Sequence, residues 1–223
     1  SCDHLYWGSV VSALMSRYQV IIFDNRGVGQ TKDEGLPFTI ETMADDVMQL
    51  CDALDISNPI IIGQSMGGAI AQTVALNYAA RIKKLGIINS VMKFRIVSQM
   101  ALQSIVALRK LNMPLDCLVN VTLPWIFSDA FLAEEENINA FKQAVESNPY
   151  LQSLADQERQ LNAISLFDST RKVQCIKVPT LVVASTNDLL TPAEDCSSLA
   201  DNIDSSVFET INGGHSSAIE NPS

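Results

Sequence analysis

The chain has 223 residues, 47% of them hydrophobic, with 25 Asp and Glu against 15 Lys and Arg for a net charge of -10. That length and apolar content suffice for one sizeable core, and the negative excess repels a phosphate backbone, which argues against nucleic acid as a partner. Five scattered cysteines and two histidines, His4 and His215, offer neither a disulfide framework nor a metal-ligand cluster, so no metal is expected; no cofactor is expected for the chain either.

No apolar run approaches the roughly 18 residues that a membrane helix requires, so no membrane span is expected. Unpaired thiols fit a cytoplasmic protein, and the acidity reads as a solvated surface before it reads as a site for cationic substrates.

After Asp3, the apolar residues Leu5, Val10, Val11 and Leu14 follow helical spacing, and residues 18–23 read as a buried strand ending at Asp24. A tight polar loop, Asn25-Arg26-Gly27-Val28-Gly29-Gln30-Thr31, leads through Gly35 and Pro37 to a helix over residues 39–54. Its early acids Glu41, Asp45 and Asp46 suit the positive end of the helix dipole and read as structural. Its apolar face is Ile40, Met43, Val47, Leu50 and Leu54.

Asn58-Pro59 opens the strand Ile60-Ile61-Ile62, which runs into Gly63-Gln64-Ser65-Met66-Gly67-Gly68 and then a helix to about Tyr78. A short strand follows over residues 85–88. From Val91 to Lys172 the pattern is helical throughout, punctuated by Pro114, Pro124 and Pro149, which predicts an inserted helical lid. Strands resume over residues 178–184 and 206–211, separated by a helix over residues 192–200. The expected organisation is a core in two parts, residues 1–90 and 173–223, flanking a lid at 91–172. Alternating strands and helices predict an α/β fold, a mostly parallel sheet covered by helices on both faces.

In such sheets, sites collect at the carboxyl ends of the strands. Ser65 after Ile62, Asp188 after Ala184 and His215 after Ile211 all stand there. A Gly-x-Ser-x-Gly turn puts a strained serine at the apex of a strand-to-helix corner, with Gly63 and Gly67 leaving room for the backbone. The Met66 N–H then lies at a helix N-terminus, where it suits a developing oxyanion. The plain alternative is a serine that only caps the helix. Asp188 admits two readings, a carboxylate for a neighbouring imidazole or an N-cap for the helix near Pro192, with Glu194 and Asp195 as weaker rivals. His215 follows Gly213-Gly214, where an irregular backbone can carry an imidazole over the strand tips as a general base; the alternative is a surface histidine. His4 reads as a helix-start or pocket-wall residue, and Ser216 and Ser217 as surface hydroxyls that can also position the imidazole.

Together these features resemble the α/β-hydrolase fold superfamily, in its lid-bearing esterase, lactonase and acyl-ester hydrolase group. Phe23-Asp24-Asn25-Arg26-Gly27-Val28-Gly29 resembles that group's Asp-x-Arg-Gly-x-Gly loop, and the elbow at Ser65, Asp188 and Gly214-His215 match its remaining motifs. The resemblance implies Ser65 as nucleophile, Asp188 as acid, His215 as base and the Met66 N–H as one oxyanion donor, with Asp24 and Arg26 as structural pins. A serine nucleophile disfavours the aspartate-nucleophile dehalogenases of this fold. The resemblance also implies further N-terminal strands ahead of Ser1, with a His-Gly loop carrying the second oxyanion donor, and a last helix after Ser223. On that expectation, the 223 residues alone neither fold stably nor turn over ester.

The implied substrate is a small-molecule carboxylic ester, such as a medium acyl chain or a methyl ester. Trp125, Phe127 and Gln64 are the expected substrate-binding residues. A lactonase, a carbon-carbon bond hydrolase and a haloperoxidase-like perhydrolase share the same triad and stay open, as does a non-catalytic ligand receptor. A homodimer is compatible with all of them.

Overall fold

The computed structural model describes residues 3–221, so expectations touching Ser1, Cys2, Pro222 and Ser223 lie outside the described residues. Asp3 starts the first turn: its carboxylate accepts from Leu5 N at 3.0 Å and opens a 3-10 helix, His4–Trp7, that continues as α1 (Gly8–Leu14).

Residues 18–23 do not form the expected strand, and Ile21, Ile22 and Phe23 are 40%, 37% and 39% exposed. A strand exists only as part of a hydrogen-bonded ladder, and among the described residues no strand is paired with this segment.

Helix α2 (Ile40–Ala53) begins where expected, because Thr39 and Thr42 form a reciprocal capping box. Its buried residues Ile40, Met43, Ala44, Val47, Met48 and Cys51 recur at helical spacing and face the core. Two of the early acids are structural: Asp46 takes a two-pronged contact from Arg26, at 2.6 Å and 2.5 Å, and Asp45 accepts the Tyr78 hydroxyl at 2.6 Å.

The chain then runs through β1 (Ile60–Gln64), α3 (Met66–Asn77) and β2 (Lys84–Ile88) before leaving the sheet. An all-helical insertion follows: α4 (Ile96–Lys110), α5 (Leu115–Ile126), α6 (Asp129–Leu132), α7 (Glu135–Ser147) and α8 (Leu154–Leu166). The chain returns as β3 (Thr180–Ser185), α9 (Ala193–Asp201), β4 (Ser206–Ile211) and α10 (Ser217–Glu220).

The four strands are parallel in the order β1-β2-β3-β4, so each strand tip carries its loop to the same edge. Helix α3 packs on β1 and β2, and α9 on β3 and β4. Ile87, Val182, Val74 and Leu199 are wholly buried in the shared core, and each such side chain contributes about 1.5–3 kcal/mol.

The insertion is anchored at both ends. Arg159 on α8 bonds Asp33 at 3.0 Å and 2.9 Å and the Leu36 carbonyl at 2.7 Å, while Arg95 ahead of α4 pairs with Asp195 and Glu194 on α9. It also holds a small core of its own, in which Phe127 stacks on Phe131 with ring centres 4.4 Å apart and meets Phe141 edge-on at 5.1 Å.

Candidate active site

At the end of β1 the backbone turns sharply, and Ser65 sits at φ 55°, ψ -120°, a region that side chains rarely adopt. Ser65 N donates to the Ile88 carbonyl at 2.9 Å, and the Ser65 carbonyl accepts from Gly68 N at 2.9 Å and Ala69 N at 3.2 Å. Strain of this kind persists where surrounding bonds over-determine it.

A Cβ on Gly63 would stand 2.0 Å from the Gly67 carbonyl oxygen, so only glycine lets strand and helix approach this closely. The second tight position is Gly68, whose Cβ would meet Ser90 Cβ at 2.4 Å; at Gly67, expected to be crowded along with Gly63, nothing lies within 4 Å. The Ser65 side chain makes no capping hydrogen bond to α3, which removes the plain helix-cap alternative. Met66 is the first residue of α3, so its N–H has no acceptor within the helix and stands at the positive end of the dipole.

Two strands away, the Asp188 carboxylate is 4% exposed and divides its oxygens between two tasks. Oδ1 accepts from Leu190 N at 2.8 Å and Thr191 N at 2.9 Å, closing the turn after β3. Oδ2 lies 2.7 Å from His215 Nδ1 and 2.7 Å from the Thr191 hydroxyl. Pro192, not Asp188, is the N-cap of α9. With Nδ1–H directed at a carboxylate, the imidazole keeps its Nε2 lone pair as an acceptor.

The His215 backbone is held from below by two side-chain amides. Gln64 Nε2 donates to its carbonyl at 2.5 Å and Asn89 Nδ2 at 3.0 Å. Gln64 was expected to contact substrate; the neighbour of Ser65 instead ties the elbow to the histidine loop. Asn89 is wholly buried at φ 46°, a left-handed conformation that asparagine tolerates. Its amide also bonds Ser185 Oγ at 2.9 Å, Ser217 Oγ at 3.1 Å and Ser185 N at 2.7 Å, and its carbonyl accepts the Thr191 hydroxyl at 2.9 Å.

Asn89, Thr191 and Ser185 are functional candidates that the sequence reading missed. The available signal was a buried polar residue directly after the apolar run of β2, at the same edge as Ser65 and Asp188.

Other expected residues lie elsewhere. Phe127 is 3% exposed within the aromatic core of the insertion, so its ring serves packing rather than an open pocket wall. Trp125 is half-buried on α5. Glu194 and Asp195 face Arg95. His4 begins its helix as expected: its backbone N bonds Asp24 at 2.6 Å and its Nδ1 lies 3.0 Å and 3.1 Å from the same carboxylate. Burial pushes the Asp24 carboxyl up, but donors from Gln30 and His4 outweigh it and hold it below the usual range, as befits a loop pin. Among the described residues, no cluster of three His, Cys, Asp or Glu side chains is arranged to hold a metal. No helix among them is long and apolar enough to cross a membrane.

The family model for the alpha/beta hydrolase fold matches residues 3–222. The chain is 31% identical over 225 residues to 3-oxoadipate enol-lactonase 1 of Acinetobacter baylyi, covering 99% of this chain and 80% of that enzyme. The crystal structure of the enol-lactonase from Burkholderia xenovorans LB400 superposes with a TM-score of 0.83 at 25% identity, over 98% of this chain and 82% of that one. A thermophilic esterase from Thermogutta terrifontis shares the fold, with a TM-score of 0.84 at 24% identity over 99% and 81% of the two chains. With a parallel sheet, a strained serine elbow and a buried histidine-aspartate pair at its strand tips, the chain belongs to the α/β-hydrolase fold family and is a hydrolase.

Proposed function

We propose that the chain cleaves a carboxylic ester through an acyl-enzyme formed on Ser65. The observation that carries this reading is the 2.7 Å contact between His215 Nδ1 and Asp188 Oδ2, in a loop tied to the elbow by the Gln64 amide. His215 Nε2 takes the Ser65 proton as Oγ bonds to the substrate carbonyl carbon, and the resulting oxyanion is met by the Met66 N–H. The imidazolium, stabilised by ionised Asp188, then protonates the leaving alkoxide as the ester C–O bond breaks. Water, deprotonated by the same nitrogen, releases the acid and restores Ser65.

A lactone is the second reading, and the likeness to two enol-lactonases favours it. Chemically it differs little: the leaving alcohol remains tethered to the acyl group, so one ring-opened hydroxy acid is released. In both readings the helical insertion acts as a lid, and the half-buried Trp125 of α5 is its candidate contact for the acyl group.

The test is a panel of p-nitrophenyl acyl esters and lactones given to the complete protein and to Ser65→Ala, together with a fluorophosphonate probe. Turnover and labelling that both vanish in Ser65→Ala support the acyl-enzyme. A folded wild type that neither labels nor hydrolyses any member of the panel points to a ligand receptor instead. Peroxide-dependent oxidation or carbon-carbon cleavage without ester turnover would assign the triad to those chemistries.

A further inference from the structure

We propose that Glu220 is a positioning residue that couples the helical insertion to the catalytic base; this rests on reading His215 as that base. Glu220 ends α10, five positions after His215, and its carboxylate gathers donors from two separate parts of the chain. Oε1 accepts from Gly214 N at 2.9 Å and from Ser128 N at 2.9 Å, and Oε2 accepts the Ser128 hydroxyl at 2.5 Å. On the other side of the histidine, Ser216 N donates to the Ile126 carbonyl at 2.7 Å. Residues on both sides of His215 are therefore bonded to, or bridged onto, one short stretch of the insertion, the junction between α5 and α6.

The local sequence is shaped for this contact. A Cβ on Gly214 would stand 2.5 Å from the Phe127 carbonyl carbon and 2.6 Å from Ser128 N, so a side chain there would push the loop off the junction. Gly213 lies at φ 130°, and a Cβ on it would stand 3.2 Å from Glu220 Oε2. Ser128 is 5% exposed, and its hydroxyl also accepts from Phe131 N at 3.3 Å, so it caps α6 while it donates to Glu220. Phe127 between them is locked by Phe131 and Phe141.

The junction is thus a rigid platform joined to the histidine backbone. A displacement of α5, which carries Trp125, or of α6 is passed through Glu220 to His215. Asn89 and Gln64 hold the same loop from the sheet side, so the base sits between a fixed floor and a ceiling belonging to the insertion. Small errors in the placement of a general base cost rate more than binding.

The experiment measures p-nitrophenyl butyrate hydrolysis by the complete protein, with active sites counted by fluorophosphonate titration so that misfolded molecules drop out. Glu220→Ala is expected to lower kcat per titrated site about 10- to 100-fold with a much smaller change in KM. Glu220→Gln, which keeps an acceptor for both N–H donors, is expected to recover most of that loss. Ser128→Ala, which removes the hydroxyl donor that the insertion gives Glu220, lowers kcat by a smaller factor. The pair Glu220→Ala with Ser128→Ala is no worse than Glu220→Ala alone, because the two groups act through one contact. Should Glu220→Ala not fold, Glu220→Gln and Ser128→Ala decide. A kcat per titrated site that stays at the wild-type value while only the melting temperature falls overturns the proposal and leaves the Ser65 reading standing. A wild type that neither labels nor hydrolyses overturns both.

Discussion

The side-chain amide of Asn89 donates to the backbone carbonyl of His215 at 3.0 Å, joining the tip of β2 to the loop after β4 across the intervening β3. The same amide satisfies Ser185 N and two serine hydroxyls, all out of contact with water. Asn89→Ala leaves these groups unpaired, at a cost of about 1–3 kcal/mol for a buried polar group. It also places an alanine at φ 46°, which adds about 1–2 kcal/mol. At about 2–4 °C per kcal/mol for a chain of this size, the melting temperature should fall by at least about 4 °C. Loss of the histidine anchor should lower kcat in the same variant. A thermal melt and steady-state rates measure both, and an unchanged melting point would remove Asn89 from the scaffold of the site.

The elbow glycines separate into two kinds. Gly63→Ala drives a Cβ into the Gly67 backbone and Gly68→Ala drives one into Ser90, whereas Gly67→Ala meets nothing within 4 Å. The first two should be strongly destabilised, by about 4 kcal/mol or more where backbone must yield. Gly67→Ala should melt at or slightly above the wild-type temperature, since alanine is favoured over glycine in a helix by about 0.5–1 kcal/mol. Parallel melts of the three variants check the order, and a Gly67→Ala protein as unstable as Gly63→Ala would contradict it.

Much of this architecture was legible because local patterns and global fold agree in β1, α3 and β4. There an apolar run, a glycine-rich corner or a capping residue states the element by itself. The same logic misjudged residues 18–23, because an apolar run supplies one half of a ladder and says nothing about the other. At the site, Ser65, Asp188 and His215 could be placed since each follows a strand in a parallel sheet. The supports could not: Gln64 on His215, Asn89 on Ser185 and Glu220 on Ser128 are contacts between residues 92 to 151 positions apart. Their partners follow from strand register and from how the insertion sits, which no local spacing encodes.

Acid should weaken one link between the insertion and the core in a defined window. The Arg159 guanidinium, bonded to Asp33 through two nitrogens, holds that carboxyl below the usual carboxylate range. A group whose native pKa is depressed stabilises the fold fully above its unfolded value of about 3.9 and loses that contribution as pH falls through the native value. Asp33→Asn should therefore be less stable than wild type by a constant margin between neutral pH and about pH 5, and the margin should close below about 3.9. Denaturant melts of the two proteins across that range test the sign. A margin that widens in acid would show that Asp33 does not stabilise the fold as an anion.

Ser65 itself allows the strain of the elbow to be measured apart from its chemistry. Its φ of 55° and ψ of -120° are held by three backbone hydrogen bonds, and its side chain contributes no cap to α3. Unfavourable backbone angles of this kind cost about 1–3 kcal/mol, and they depend on the presence of a Cβ. Ser65→Ala keeps the Cβ and should match the wild-type melting temperature. Ser65→Gly removes it, and relief of strain exceeds the entropic cost of glycine, about 0.5–1 kcal/mol, leaving a net gain of about 1 kcal/mol. Both variants should be inactive, yet the glycine variant should melt about 2–4 °C higher than the alanine variant. If the two melt together, the elbow is relaxed in the folded protein and stores no measurable strain.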